Sequence, residues 1–168
     1  MNTIFALVPL LVVVFASLLV LILDVFLKRE NKNYLGYLSL FFLLLCGFVC
    51  FSFWNKSYSF FSQGLFLDNL SLFFSFIFVL AVIFVILISL KYIFLQDVNY
   101  GEFYSLLLLA LSGMMIMATS SNFLIIFLGL EVLSISSYAL AGIKRKDQKS
   151  SEAAIKYLLL GSFASAFL

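Results

Sequence analysis

An all-α, polytopic transmembrane helix bundle is the fold class this sequence predicts, and three observations predict it. Apolar residues make up 65% of the chain and charged residues 11%, against roughly 25% charged in ordinary soluble domains. The apolar residues fall in six long runs, most of them matching the roughly 20 residues that a bilayer crossing requires. The basic residues collect in short clusters between the runs rather than on a face interleaved with aromatics, so nucleic acid is not an expected partner despite the net charge of +2. The lipid bilayer is the expected surroundings.

The first run, Ile4 to Leu27, has no basic start and is too long for the apolar core of a signal peptide, so it is expected to stay in the protein as a helix. Pro9 lies in its first turns, where a missing N–H costs least. Asp24, about one turn from its end, is expected at the interface rather than buried. After the polar loop KRENKN (28–33), the second run spans Tyr34 to Trp54, with tyrosines at its start and a tryptophan at its end, the residues that mark headgroup level. Cys46 and Cys50 lie four apart on it and read as small packing residues. With no histidine in the chain, a haem, zinc or iron–sulfur site built by this chain alone is not expected.

The semi-polar stretch 55–69 is expected along the interface, with Asp68 capping a third helix over Leu70 to Leu95. A loop over Gln96 to Glu102 leads to the fourth run, FYSLLLLALSGMMIMATS (103–120), whose methionines read as flexible packing rather than metal ligands. The break from Thr119 to Asn122 is so short that the fourth and fifth helices must be antiparallel neighbours, with Ser120 or Ser121 as the expected N-cap. The fifth run ends near Ile143, before KRKDQK. The sixth is expected to begin at Ser151, with Glu152 complementing its dipole. It reaches Leu168 after about 17 residues, marginal for a span, so the 168 residues are expected to be part of a longer polypeptide.

Sidedness follows from the basic residues. If the loops after helices one, three and five are cytoplasmic, Lys28, Arg29, Lys32, Lys91, Lys144, Arg145, Lys146 and Lys149 all lie inside; Lys56 alone lies outside, and Lys156 is within a helix. Eight of the ten basic residues then share the cytoplasmic side, which places the N-terminus on the other.

Two charged residues inside apolar runs are the functional candidates. Glu131 lies within the fifth, where a carboxylate costs about 2.5–3.5 kcal/mol on insertion scales. At 100° per residue it shares a stripe with Ser134, Tyr138 and Gly142. Hydroxyls that both donate and accept suit a stripe that holds water and relays protons. In the sixth run Ala154, Gly161 and Ser165 form a small-residue face for a neighbouring helix, while Lys156 points the other way. Its depth leaves snorkelling to the headgroups open, and a direct bridge to Glu131 is not expected.

These residues carry a family resemblance. FLGLEVLSISSYALAG, a basic loop, then SSEAAIKYLLLGSFASAFL closely resembles the N-type antiporter-like membrane subunit of respiratory complex I, the proton-pumping NADH:quinone oxidoreductase. Asp24, Asp68 and GEFYSLLL add a weaker upstream likeness. The resemblance covers the whole chain but only about the first third of the usual subunit. It implies that Glu131 and Lys156 match the family's intramembrane proton-translocating pair. It also implies that residues 1–102 are an N-terminal three-helix unit and 103–168 the start of the first of two inverted repeats. The chain stops before the broken seventh helix, so it supplies one end of a path. The resemblance further implies a hetero-oligomer with other membrane-arm subunits in a bacterial inner membrane. It places no cofactor in this chain; NAD, FMN, iron–sulfur clusters and quinone belong to partner subunits. A multisubunit cation/proton antiporter, a membrane-bound hydrogenase subunit and a non-transporting scaffold remain the alternatives.

The charge bias makes the topology testable. Single cysteines at Asn33, Ser57 and Gln148, in a background without Cys46 and Cys50, are expected to label from opposite faces, Ser57 against the other two; labelling of Ser57 and Gln148 from one face overturns this orientation.

Overall fold

In a computed structural model, residues 4–27, 32–60, 64–95 and 101–168 are described. A 3-10 turn, Ile4–Leu7, opens into α1, Val8–Phe26. Then come α2, Asn33–Ser52, and α3, Asn69–Leu95, joined through a two-stranded antiparallel hairpin of β1, Tyr58–Phe60, and β2, Leu65–Leu67. The chain continues through α4, Glu102–Thr119, α5, Phe123–Ala141, and α6, Gln148–Ser165. Five of these helices, α1 to α5, are long and apolar enough to cross a membrane. The sixth carries Lys149, Glu152 and Lys156 in its 18 residues and is the polar one of the set.

The expected bundle is therefore present, with local corrections. The stretch expected along the interface is a hairpin whose Leu65 bridges to Ser120, and Ser120 Oγ donates to the Gly64 carbonyl at 3.1 Å. That tie takes Ser120 away from capping. Asn122 caps α5 instead, its Oδ1 accepting the Leu124 N–H at 2.9 Å. Asp147 caps α6 by accepting from Lys149 N–H at 3.0 Å. Helix α6 thus starts three residues before Ser151, and Glu152 falls in its second turn. The cap expected of Asp68 is observed: Asp68 Oδ1 accepts from Ser71 N–H at 2.8 Å, and Ser71 Oγ accepts from Asp68 N–H at 2.9 Å, a reciprocal capping arrangement.

Helix α4 is the hub. It packs against α1, α2 and α3 on one side and α5 on another, and α6 packs on α5. The core shared by α1, α2 and α4 holds Val13, Val20, Leu35, Leu43, Leu108, Leu111 and Met115, all buried. Cys46 and Cys50 are buried as packing residues, and Cys46 Sγ approaches the Pro9 carbonyl at 3.6 Å. In lipid the hydrophobic effect does not draw helices together, so their approach rests on small residues and on polar groups that satisfy themselves. Ser39, Ser112 and Ser136, all buried, donate to carbonyls three or four residues back, at 2.8, 2.7 and 2.7 Å. Such back-bonding lets a hydroxyl enter a helix interface without a partner across it.

Asp24, expected not to be buried, is enclosed by three helix ends. It is 9% exposed; its Oδ1 pairs with Lys32 Nζ at 2.7 Å and accepts the Gly101 N–H at 3.0 Å. One carboxylate thus ties the end of α1, the start of α2 and the start of α4, where a negative charge also suits the α4 dipole. Gly101 is required there, because a Cβ would stand 2.1 Å from Asp24 Oδ1. At the same end Arg145, after α5, pairs with Glu102 of α4. These contacts gather the loops after α1 and α5 at one end of the bundle; Lys28, Arg29 and residues 96–100 lie outside the described residues.

Where α4 and α5 cross, a Cβ on Gly113 would lie 2.6 Å from the Gly129 carbonyl oxygen and one on Gly129 would lie 2.9 Å from that of Gly113. Gly113→Val in the full-length protein is expected to destabilise it by about 1–3 kcal/mol or more, since backbone cannot step aside. Gly47→Ala, whose Cβ would meet side chains at an ordinary 3.9 Å, is expected to be neutral or stabilising. Thermal unfolding of the two variants checks the contrast; equal effects refute the close crossing.

Candidate functional site

The α4 crossing fixes what α5 presents elsewhere. Gly129 and Ser136, its two buried residues, mark the side that meets α4. Tyr138 and Gly142 lie on the other side, against α6: a Cβ at Gly161 would strike Tyr138 Oη, and one at Gly142 would lie 2.9 Å from Ala154 Cβ. Tyr138 and Tyr157 also meet edge to face with centroids 4.8 Å apart. Glu131 is about 200° round the helix from Gly129 at 100° per residue. It therefore shares the Tyr138 side, with Ser134, half-buried, between them. The stripe read from the sequence is the α6-facing side of α5.

Glu131 Oε1 is buried without a hydrogen-bond partner. Its neighbours on the helix do not help it: Ser136 and Ser137 donate to the carbonyls of Val132 and Leu133, at 2.7 and 2.8 Å. A buried polar atom left unpaired costs free energy, and such atoms in folded proteins commonly mark bound water or a functional group.

The small-residue face of α6 also lies where it was expected. Ala154 meets Gly142 and Gly161 meets Tyr138, while Ser150 Oγ donates to the Ala141 carbonyl at 2.8 Å. Lys156 is on the opposite face, its side chain 69% exposed and paired with Glu152 one turn earlier. Lying between Ala154 and Gly161, it is level with the last turn of α5, roughly 10–16 Å along the axis from Glu131. Among the described residues no ion pair joins Glu131 to Lys156. The structure brings Glu131, Ser134 and Tyr138 onto one stripe and leaves Lys156 apart from them.

Sequence reasoning missed the Asp24–Lys32 pair and the Gly101 amide it holds. A carboxylate one turn from a helix end, followed by a basic loop, is the ordinary pattern of an interface, and only the return of α4 to that place encloses it. Gly101 before Glu102 was the available signal. Among the described residues no three His, Cys, Asp or Glu side chains converge as metal ligands would.

Residues 120–168 match the transmembrane family described as NADH:quinone oxidoreductase/Mrp antiporter. Over 88% of its length the chain is 43% identical to NADH-quinone oxidoreductase subunit N of Trichlorobacter lovleyi, covering 30% of that protein. Over its whole length it is 35% identical to F(420)H(2) dehydrogenase subunit N of Methanosarcina mazei, covering 36% of it. A solved structure of respiratory complex I from Thermus thermophilus with bound aureothin contains a chain with the same fold. The TM-score is 0.76 at 28% identity, over 95% of this chain and 34% of that one. The chain thus spans about a third of the length of the curated relatives it matches.

Proposed function

Because this chain belongs with the N-type antiporter-like subunits of the complex I family, we propose that it serves in the membrane arm of an NADH:quinone oxidoreductase and carries part of that arm's proton path. Residues 1–102 are in this proposal an N-terminal unit and 103–168 the start of the first antiporter-like repeat. Glu131 is the proton-carrying group, Ser134 and Tyr138 hold water beside it, and Lys156 is the next ionisable station. The observation that carries the proposal is the buried, unpartnered carboxylate oxygen of Glu131 on a helix long and apolar enough to span a membrane. A structural role would be served at less cost by a side chain that is never charged.

The chemistry is proton transfer alone. A protonated Glu131 is neutral and tolerates its apolar surroundings; an ionised one draws water or a cation toward the α6 side. Charge arriving from a neighbouring station therefore shifts its proton occupancy, which is how a distant redox step would be felt here. An axial offset of roughly 10–16 Å between Glu131 and Lys156 calls for water, or for groups contributed from outside these 168 residues, to connect them. Electron transfer belongs in this proposal to other subunits, which hold NAD, FMN, the iron–sulfur clusters and quinone. The electron donor is left open by the likeness to an F(420)H(2) dehydrogenase subunit, and exchange of a cation for protons by the family's inclusion of Mrp antiporters. A bacterial inner membrane with the N-terminus outside suits the charge bias.

The test is Glu131→Gln in the assembled complex, which keeps the volume and the hydrogen-bonding groups but cannot ionise. Proton pumping is expected to fall by more than about tenfold, a barrier increase of roughly 1.4 kcal/mol, with assembly on a native gel unchanged. Glu131→Asp is expected to retain more, and Lys156→Ala to be milder than Glu131→Gln. Loss of the intact complex in Glu131→Gln would make the carboxylate structural, and normal pumping would remove it from the path. Residues 1–168 reconstituted alone are expected to leak no more protons than empty liposomes.

A further inference from the structure

Beside the Glu131 stripe, a second set of buried polar groups lies at the junction of α1, α2 and α4. Its centre is the Asp24–Lys32 pair, whose side chains are 10% and 15% exposed. The other described ion pairs, Glu102–Arg145 and Glu152–Lys156, are far more open. A buried pair repays its desolvation only when its remaining donors and acceptors are also satisfied. Asp24 Oδ1 already accepts from Lys32 and Gly101. The Lys32 ammonium has three donors, and the contact with Asp24 uses one of them.

Among the described residues five buried side-chain atoms have no partner, and three of them belong to residues near the starts of α2 and α4: Asn33 Oδ1, Tyr104 Oη and Ser105 Oγ. Asn33 follows Lys32. Tyr104 and Ser105 stand one turn above Gly101 on α4 and are themselves 0% and 1% exposed. The Tyr104 hydroxyl lies over Gly36, where a Cβ would be 3.0 Å from it, and Gly36 is one turn above Lys32 on α2. The residues that carry these atoms therefore lie on α2 and α4 within about one helical turn, roughly 5–6 Å along the axis, of Lys32 or Gly101. None of the three atoms has a direct hydrogen-bond partner, and a bridging water is the group that joins polar atoms too far apart to bond directly. Ser17, Ser39, Ser112 and Ser136, also buried, bond back to their own helices; Ser105, like Ser75 on α3, does not, so its hydroxyl is open to a ligand.

We propose that the α1–α2–α4 junction is a buried hydration site in which ordered water links the Asp24–Lys32 pair to Tyr104 and Ser105. The ligand is water because each orphaned group is a small donor or acceptor, and a water with two to four such partners satisfies them together. The site completes the hydrogen bonding of the pair inside the bundle, and so keeps the α4 N-terminus anchored. It stands whether or not Glu131 carries protons.

The test uses the purified assembly that contains the full-length chain. A density map that resolves ordered water is expected to place one within about 3.2 Å of Tyr104 Oη or Ser105 Oγ and of the Asp24 or Lys32 side chain. Tyr104→Phe is expected to lower the thermal midpoint of the assembly, because it strands that water. In a dry site the same change removes an unpaired hydroxyl and leaves the midpoint unchanged or raised. A map without the water, or a midpoint that does not fall, overturns the proposal. Should Tyr104→Phe fail to assemble, Ser105→Ala and the unmodified map decide by the same criteria.

Discussion

Backbone contact between α4 and α5 at Gly113 and Gly129 is the constraint on which the rest of the arrangement depends. With no side chain at either position the two helices meet carbonyl to Cα, each occupying the space where a Cβ would be. The contact fixes both separation and rotation, since only one face of α5 has a glycine at that level. Once Gly129 faces α4, the 100° step of the helix places Glu131 and Tyr138 on the far side. The carboxylate is thus turned toward α6 by the choice of a glycine two residues before it.

A second anchor sets the height of α4. The Asp24 carboxylate holds the first amide of that helix and the ammonium that opens α2, so three helix ends share one charge. In water such a pair would contribute little; within a bundle surrounded by lipid, leaving any of the three groups alone would cost several kcal/mol. The two anchors lie at different levels of α4, Gly101 at its start and Gly113 past its middle. Together they leave the hub little freedom to slide or turn.

Packing decreases outward from that hub. Helices α1 to α4 bury Val, Leu and Ser side chains among themselves, whereas α5 buries only Gly129 and Ser136, and α6 has no buried residue. The half of the chain that bears the candidate proton-carrying residues is the half with the most surface still open. Glu131 and Lys156 are consequently placed by the backbones of α5 and α6, Lys156 pairing with Glu152 of its own helix, and among the described residues no ion pair joins them.

The number, order and approximate bounds of the helices were legible in the sequence, because apolar run length and the polar breaks between runs are local properties. The stripe of Glu131, Ser134 and Tyr138 was legible for the same reason, and so was the small-residue face of α6: helical periodicity alone decides which residues share a side. Caps were less so. Ser120 reads as an N-cap until the hairpin at Gly64 and Leu65 claims its hydroxyl, and Asn122 then takes the cap. Asp24 reads as interfacial until Lys32 and Gly101, 8 and 77 residues away along the chain, close over it. By itself the sequence determined which residues lie in helices and which face of each helix they share. Only the tertiary structure decided which faces meet and which charges are enclosed, because burial is set by neighbours distant in the chain and leaves no local periodic mark.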